Sequence, residues 1–226
     1  MKTPKRPKTA KKTVLIVDDH PMMRQGLSQL INNEPDLQAS GEAEGAQQAL
    51  EFMRNSVPNL VMVDISLPDK HGLELIKDIQ VLHPGIPVLV VSMHDESLYA
   101  ERVLRAGGRG YIMKQEGGKK MVEAIRTVLS GQIYVSEKMS AKILEIFSGR
   151  RSEANRSPIE KLTDRECEVF QLVGQGKGTR HIAEALHLSV KTVEVHKLHI
   201  KEKLGLADAP SLVRHAVRWV ETQKVG

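Results

Sequence analysis

Cysteine, aromatic residues and long apolar segments are all scarce in this sequence. Cys167 is the only cysteine in 226 residues, so no disulfide can form within the chain, as is typical of proteins in reducing compartments. No apolar run has the length that crosses a bilayer, and nothing resembles a signal peptide. Cysteines and histidines with the spacing of a zinc site are also absent. We therefore expect a cytoplasmic protein without a membrane partner.

Acidic residues are missing from residues 1–12, which carry six basic side chains. Such a composition cannot build a core, and we interpret this segment as a disordered basic tail. Residues 13–149 carry 13 basic and 18 acidic side chains, whereas residues 150–226 carry 14 basic and 10 acidic ones. The asymmetry indicates that the C-terminal part, unlike the middle, meets an anionic partner.

Short apolar runs alternate with helical patterns through the middle of the chain. The runs lie at residues 14–17, 60–63, 88–91 and 111–113, with a weaker one at 37–43, and the helical patterns lie at 22–32, 46–54, 73–82, 98–106 and 120–129. Alternating strands and helices predict a parallel sheet covered on both faces, and the continuous apolar runs fit strands buried on both sides. We predict a five-stranded, doubly wound α/β domain.

Polar residues follow the predicted strands at the edge where such sheets bind ligands. Asp18 and Asp19 follow the first strand, Asp64 the third, Ser92 the fourth and Lys114 the fifth. Two carboxylates about 5 Å apart repel by about 3 kcal/mol at an effective dielectric constant near 20, so the cluster needs a cation. A small set of oxygen ligands predicts Mg²⁺.

These motifs resemble the receiver domain of two-component response regulators, which has a flavodoxin-like fold. The matching segments are V-D-D-H-P at 17–21, D-I-S-L-P-D-K-H-G at 64–72, V-S-M-H at 91–94 and G-Y-I-M-K at 110–114. The resemblance implies a phosphoacceptor aspartate, a Mg²⁺ site that includes one backbone carbonyl, and a lysine, a hydroxyl and an aromatic residue that respond to the phosphoryl group. By this resemblance, Asp64 is the phosphoacceptor, and the Mg²⁺ site consists of Asp18, Asp19, Asp64 and the Ser66 carbonyl. The lysine, the hydroxyl and the aromatic residue are Lys114, Ser92 and Tyr111.

The resemblance also implies a sensor histidine kinase as the phosphoryl donor. Two positions depart mildly from the family pattern, because Leu67 stands where methionine is common and Ser92 where threonine is common. Neither change alters the expected chemistry, in which a carboxylate nucleophile forms an aspartyl phosphate.

The region after residue 160 has the pattern of a helix-turn-helix. Thr163 with Glu166 predicts a capping box, a second short helix breaks near His187, and Ser189 caps a longer basic helix that ends at Gly205. A final helix covers about residues 211–220. Two helices, a tight turn and a basic helix are typical of DNA-binding domains, although an ordinary helical bundle with a solvated charged face would show the same pattern.

The segments L-T-D-R-E-x-E-V at 162–169, I-A-E-A-L at 182–186 and S-V-K-T-V-E-V-H-K at 189–197 resemble the LuxR-type helix-turn-helix. Together with a receiver they resemble the NarL/FixJ class of transcriptional regulators. By position, the resemblance implies base contacts from Glu194, Val195 and Leu198, and phosphate contacts from Lys191, Thr192, Lys197 and Lys201. Base contacts from acidic and aliphatic side chains suggest modest affinity for each half-site, so we expect a homodimer on double-stranded DNA.

We therefore predict an α/β domain followed by an all-α, four-helix domain in a transcriptional regulator controlled by phosphorylation. The expected division is a tail at 1–12, a receiver at 13–132, a linker with a helix at 133–159 and the DNA-binding domain at 160–226. At most, the protein would catalyse its own phosphorylation and dephosphorylation. The alternatives are a Mg²⁺-dependent small-molecule phosphohydrolase with an accessory helical domain, and a DNA-binding protein that dimerises without phosphorylation.

Overall fold

A computed structural model of the protein describes residues 10–137, 139–141, 143 and 158–224. The chain divides into two compact units, residues up to 93 with 102–135, and residues 94–101 with those from 136 on. The predicted linker helix and the polar segment after it lie largely outside the described residues. In the described part, no helix is long and apolar enough to cross a membrane.

Five parallel strands form one sheet, as predicted, in the order β2-β1-β3-β4-β5. The strands are β1 (Lys12–Val17), β2 (Leu37–Ala43), β3 (Leu60–Val63), β4 (Val88–Ser92) and β5 (Gly110–Met113). The helices are α1 (Pro21–Asn32), α2 (Ala46–Asn55), α3 (Gly72–Leu82), α4 (Glu96–Arg105) and α5 (Gly118–Leu129). β1 thus begins at the last residue assigned to the tail.

The reversal of strand order between β1 and β3 positions the polar edge. Val17 pairs with Val63 at the carboxyl ends of these two strands. Asp18 and Asp64 are the next residues, so both leave the sheet side by side. β1 from Val14 on and the whole of β3 are apolar and fully buried, and the two strands therefore hold the two aspartates on a rigid base.

From residue 158 on, the structure describes a short 3₁₀ helix at Pro158–Lys161 and then four α-helices. They are α6 (Asp164–Gly174), α7 (Thr179–Ala185), α8 (Val190–Leu204) and α9 (Ala209–Lys224). Val193 and Ile200 of α8 are fully buried. Gly205 ends α8 in the left-handed region, with a φ of 65°, which favours glycine because it has no Cβ.

The Glu166 carboxylate connects α6 to α8. It accepts the Thr163 backbone N–H at 2.7 Å, which completes the predicted capping box, and the Lys203 ammonium at 2.6 Å. Burial alone would raise the pKa of Glu166, but the hydrogen bonds from Lys203 and Thr163 outweigh it and lower that pKa. The ionised carboxylate therefore stabilises the folded domain.

We predict that Glu166→Gln keeps the cap, loses the ion pair with Lys203 and lowers the free energy of unfolding by about 1–2 kcal/mol at neutral pH. A carboxyl group with a lowered folded-state pKa stabilises above its unfolded pKa, so the difference from the wild type should shrink below about pH 4.3. The measurement is urea unfolding followed by fluorescence of the single tryptophan, Trp219, whose ring lies 5.9 Å from that of Phe170.

The matched control for this prediction is Glu202→Gln, which removes the same charge from an exposed position of α8. Glu202→Gln should change the unfolding free energy by less than about 0.5 kcal/mol. Equal losses for the two variants would contradict a specific role for the buried ion pair.

Candidate functional site

Three carboxylates and one amine meet at the carboxyl edge of the sheet. Asp18 and Asp64 are buried, and the Lys114 ammonium lies 2.6 Å from one oxygen of each. Asp19 is partly exposed beside them. The structure thus brings together residues from β1, β3 and β5 that are up to 96 positions apart, as the sequence predicted.

Lys114 carries a positive charge in this pocket. Burial alone would lower the pKa of Lys114, but the charges and hydrogen bonds of Asp64 and Asp18 outweigh burial and raise that pKa. The ammonium therefore offsets the repulsion between the two buried carboxylates. A single monovalent cation leaves the pocket with net negative charge, which favours binding of a further cation.

The arrangement fits a divalent metal. One oxygen from each of Asp18, Asp19 and Asp64 and a ring nitrogen of His20 all lie within 4.8 Å of one another. Three carboxylate oxygens suit Mg²⁺. Ser66, whose carbonyl was expected to join them, follows β3 in the loop after Asp64 and is partly buried.

Sequence reasoning did not assign roles to His20 and Arg24, which support Asp18. The His20 backbone N–H donates to the Asp18 carboxylate at 2.9 Å, and its ring nitrogen lies 2.6 Å from Asp19. The Arg24 guanidinium donates to the Asp18 backbone carbonyl at 2.6 Å. The signal in the sequence that could have identified His20 was its position directly after the acidic pair.

Gly72 is a second residue whose importance only the structure reveals. A Cβ at this position would lie 2.3 Å from the Asp64 carbonyl oxygen and 2.8 Å from the Cα of Ile65. The start of α3 can therefore approach the segment that carries Asp64 only because residue 72 has no side chain.

The two expected switch residues, Ser92 and Tyr111, are fully buried. Ser92 ends β4, and Tyr111 pairs with Val90 across the β4–β5 ladder. Ser92 therefore lies on the strand next to β3, and Tyr111 lies one strand further out. Their response to a phosphoryl group stays a prediction.

The third helix of the second unit, α8, presents an unusual exposed face. Val190, Val195 and Leu198 are each 42–48% exposed, whereas Val193 and Ile200 on the opposite side are buried. Exposed aliphatic residues in a row on a basic helix indicate a contact surface. Of the predicted DNA contacts, Lys191, Glu194, Val195 and Leu198 are exposed, and Thr192, Lys197 and Lys201 are partly exposed.

Three of the predicted DNA-contacting residues have partners within the domain. The Thr192 hydroxyl lies 2.8 Å from that of Ser189, which caps α8. Lys197 donates to Thr179 and lies 3.3 Å from Glu194, and Thr179 donates to Glu194 at 2.7 Å. The hydrogen bond from Thr179 and the charge of Lys197 lower the pKa of Glu194, against the opposing effect of burial.

Comparison with known proteins matches both units. The response regulator receiver domain matches residues 14–126, and the luxR family of bacterial regulatory proteins matches residues 160–216. The chain is 34% identical over 209 residues to the oxygen regulatory protein NreC of Staphylococcus carnosus, a match that covers 91% of this chain and 96% of that protein. It is 30% identical over 225 residues to the transcriptional regulatory protein DegU of Brevibacillus brevis, with coverage of 93% and 95%.

The chain belongs to the NarL/FixJ class of two-component response regulators. As such it is a transcriptional regulator rather than an enzyme of metabolism, and membership in this class favours the regulator over a phosphohydrolase. A solved structure of two RcsB dimers bound to two parallel DNAs is 26% identical to this response regulator, with a TM-score of 0.55, and covers 90% of this chain and 97% of that one.

We predict that Gly72→Ala destabilises the receiver by about 1–3 kcal/mol, because the added Cβ forces α3 away from the Asp64 segment. Gly26→Ala is the matched control, since its Cβ would meet no atom within 4 Å on α1. Alanine should stabilise that helix by up to about 1 kcal/mol. Urea unfolding followed by circular dichroism measures both, and a neutral Gly72→Ala variant would contradict the close approach.

Proposed function

We propose that this response regulator accepts a phosphoryl group from a sensor histidine kinase on Asp64 and thereby controls its binding to DNA. The observation that supports this proposal most directly is the buried Asp64 carboxylate, which lies beside Asp18 and Asp19 with the Lys114 ammonium 2.6 Å from one of its oxygens. Such a pocket combines a nucleophile with groups of both charges.

In the proposed reaction, a carboxylate oxygen of Asp64 attacks the phosphorus of a phosphohistidine in line with the bond to nitrogen. The O–P bond forms as the N–P bond breaks, and the kinase imidazole leaves. The Lys114 ammonium, which already bridges Asp18 and Asp64, would turn to hold an oxygen of the bound phosphoryl group. Hydrolysis of the acyl phosphate by water in the same pocket would return the carboxylate.

Mg²⁺ is the proposed cofactor, held by the carboxylates of Asp18, Asp19 and Asp64 and the carbonyl of Ser66. When bound, the ion neutralises charge on the transferring phosphoryl group. The chain's own contribution is the placement of the carboxylates, since His20 and Arg24 fix the orientation of Asp18.

The proposed response to phosphorylation starts at Ser92. Phosphorylation adds nearly two negative charges at the edge next to β4, and the Ser92 hydroxyl would move to donate a hydrogen bond to the phosphoryl group. That movement would leave space for Tyr111 to shift within its buried position. The surface around β4 and β5 would then favour a second packing.

In the proposed DNA complex, α8 enters the major groove. Glu194, Val195 and Leu198 would contact bases, and Lys191, Thr192, Lys197 and Lys201 would lie at the phosphates. We propose a homodimer on paired half-sites, which the RcsB dimers on DNA support by similarity. A protein that acts on the chromosome works in the cytoplasm, which we propose as its location.

The proposed division keeps the receiver at 13–132, a linker at 133–159 and the DNA-binding domain at 160–226. The matched family regions, 14–126 and 160–216, fall inside these bounds. A basic tail at 1–12 completes the proposal.

We predict that incubation with acetyl phosphate and Mg²⁺ adds one phosphoryl group, and that Asp64→Asn abolishes the addition because the nucleophile is lost. Intact-mass spectrometry measures the adduct. Asp78→Asn is the control. Asp78 lies on α3 and pairs with Lys70 outside the pocket, so the loss of its charge should leave the yield of phosphorylated protein unchanged. Steady release of phosphate from the donor without an adduct would instead favour the phosphohydrolase.

We predict that Lys191→Ala weakens binding to all duplexes by a similar factor and reduces the slope of log affinity against log salt by about 1, because one phosphate contact is lost. Arg218→Ala removes an exposed charge of the same sign from α9 and should leave the slope unchanged. Fluorescence anisotropy at several salt concentrations measures both. A change in base preference with Lys191→Ala would contradict a phosphate role.

A further inference from the structure

A chain of three polar side chains joins α7 to the exposed face of α8. Thr179 is the first residue of α7, and Glu194 and Lys197 lie in neighbouring turns of α8. Lys197 donates to the Thr179 hydroxyl, and that hydroxyl lies 2.7 Å from Oε1 of Glu194. The contact crosses 15 positions of sequence between Thr179 and Glu194, so it exists only because the two helices pack together.

The direction of these hydrogen bonds is fixed by chemistry. An ammonium can only donate, so the Thr179 oxygen accepts from Lys197 and its single proton goes to Glu194. The Lys197 ammonium also lies 3.3 Å from the same oxygen, Oε1. Among the residues that the structure describes, both contacts of the Glu194 carboxylate end on Oε1, and Oε2 is left to accept from outside the domain.

This geometry prepares Glu194 for recognition of a base. A glutamate that is 57% exposed would otherwise move freely, and ordering such a side chain on binding costs conformational entropy. Thr179 and Lys197 order it in the folded domain before DNA arrives. They also keep the carboxylate ionised, so it can only accept hydrogen bonds.

An accept-only group at this position selects among bases. Cytosine presents its N4 amino group as a donor in the major groove, whereas guanine and thymine present only acceptors there, and adenine places the acceptor N7 beside its N6 amino group. The Lys197 ammonium lies against the Glu194 carboxylate. Its positive charge offsets the negative charge of that carboxylate when Glu194 comes close to the DNA phosphates. Because Lys197 belongs to the same chain of hydrogen bonds, it also acts through Glu194.

We propose that Thr179 is a positioning residue for base recognition, holding the Glu194 carboxylate through its hydroxyl so that Oε2 reads a cytosine. The proposal rests on Glu194 being a base contact. Thr179 itself need not touch DNA. The base preference should therefore depend on the Thr179 hydroxyl and weaken when that hydroxyl is removed.

The test is selection of bound sequences from a pool of randomised duplexes by the full-length, phosphorylated protein, with the bound fraction sequenced. Thr179→Val is nearly isosteric and lacks the hydroxyl, and Thr179→Ser restores it. Gly178 is the N-cap of α7 and no side chain caps this helix, so Thr179→Val removes no cap. Thr222→Val is the matched control, because the Thr222 hydroxyl donates to the Trp219 carbonyl within α9.

We expect Thr179→Val to reduce the preference for cytosine at one position of each half-site about 3- to 10-fold, and Thr179→Ser to retain it. Glu194→Gln should change the preference at the same position. In the Glu194→Gln background, Thr179→Val should have no further effect on preference, because the two residues act through one contact. Thr222→Val should match the wild type.

Three outcomes would overturn the proposal. They differ in whether they also contradict the proposed DNA-binding function or the role of Glu194. If the wild type enriches no sequence, the proposed DNA-binding function fails as well. If Glu194→Gln leaves every preference unchanged, Glu194 is not a base reader. If Glu194→Gln alters the preference but Thr179→Val lowers affinity equally for all sequences, only the positioning role of Thr179 is wrong. Unfolding followed by Trp219 fluorescence confirms that each variant is folded.

Discussion

Repulsion among Asp18, Asp19 and Asp64 is the constraint on which the receiver depends. The fold brings these carboxylates together because β1 and β3 are neighbours at the reversal of strand order. Lys114 bridges two of them and supplies the compensating charge. A pocket held in this balance is sensitive to any added charge, which is the physical basis for a response to a cation and a phosphoryl group.

In the second unit, too, neighbouring side chains hold an acidic group in place. Glu194 is an acidic residue on a basic helix that is expected to meet a polyanion, and Lys197 and Thr179 hold it in place. In both units a lysine pairs with the carboxylate to which the function is assigned. The acidic group is thereby oriented before its ligand arrives, so less ordering is left to the binding step.

The sequence predicted the fold well because each signal was local and strong. Continuous apolar runs identified β1, β3, β4 and β5, a weaker run identified β2, and the capping box at Thr163 and Glu166 identified the start of α6. The helix ends were less well defined, since α5 begins at Gly118 rather than at Lys120. Glycine has low helix propensity, so no local signal indicated that the first turn of α5 would start there.

The sequence by itself determined which residue types stand at the ends of the strands and on the two faces of α8, because burial imposes a periodicity on the chain. Tertiary structure alone decided which of these groups touch. The close approach of Gly72 to Asp64 and the hydrogen bond between Thr179 and Glu194 depend on how α3 packs at the sheet edge and α7 against α8. Such distances are set by the summed packing of many side chains, and no local pattern encodes them.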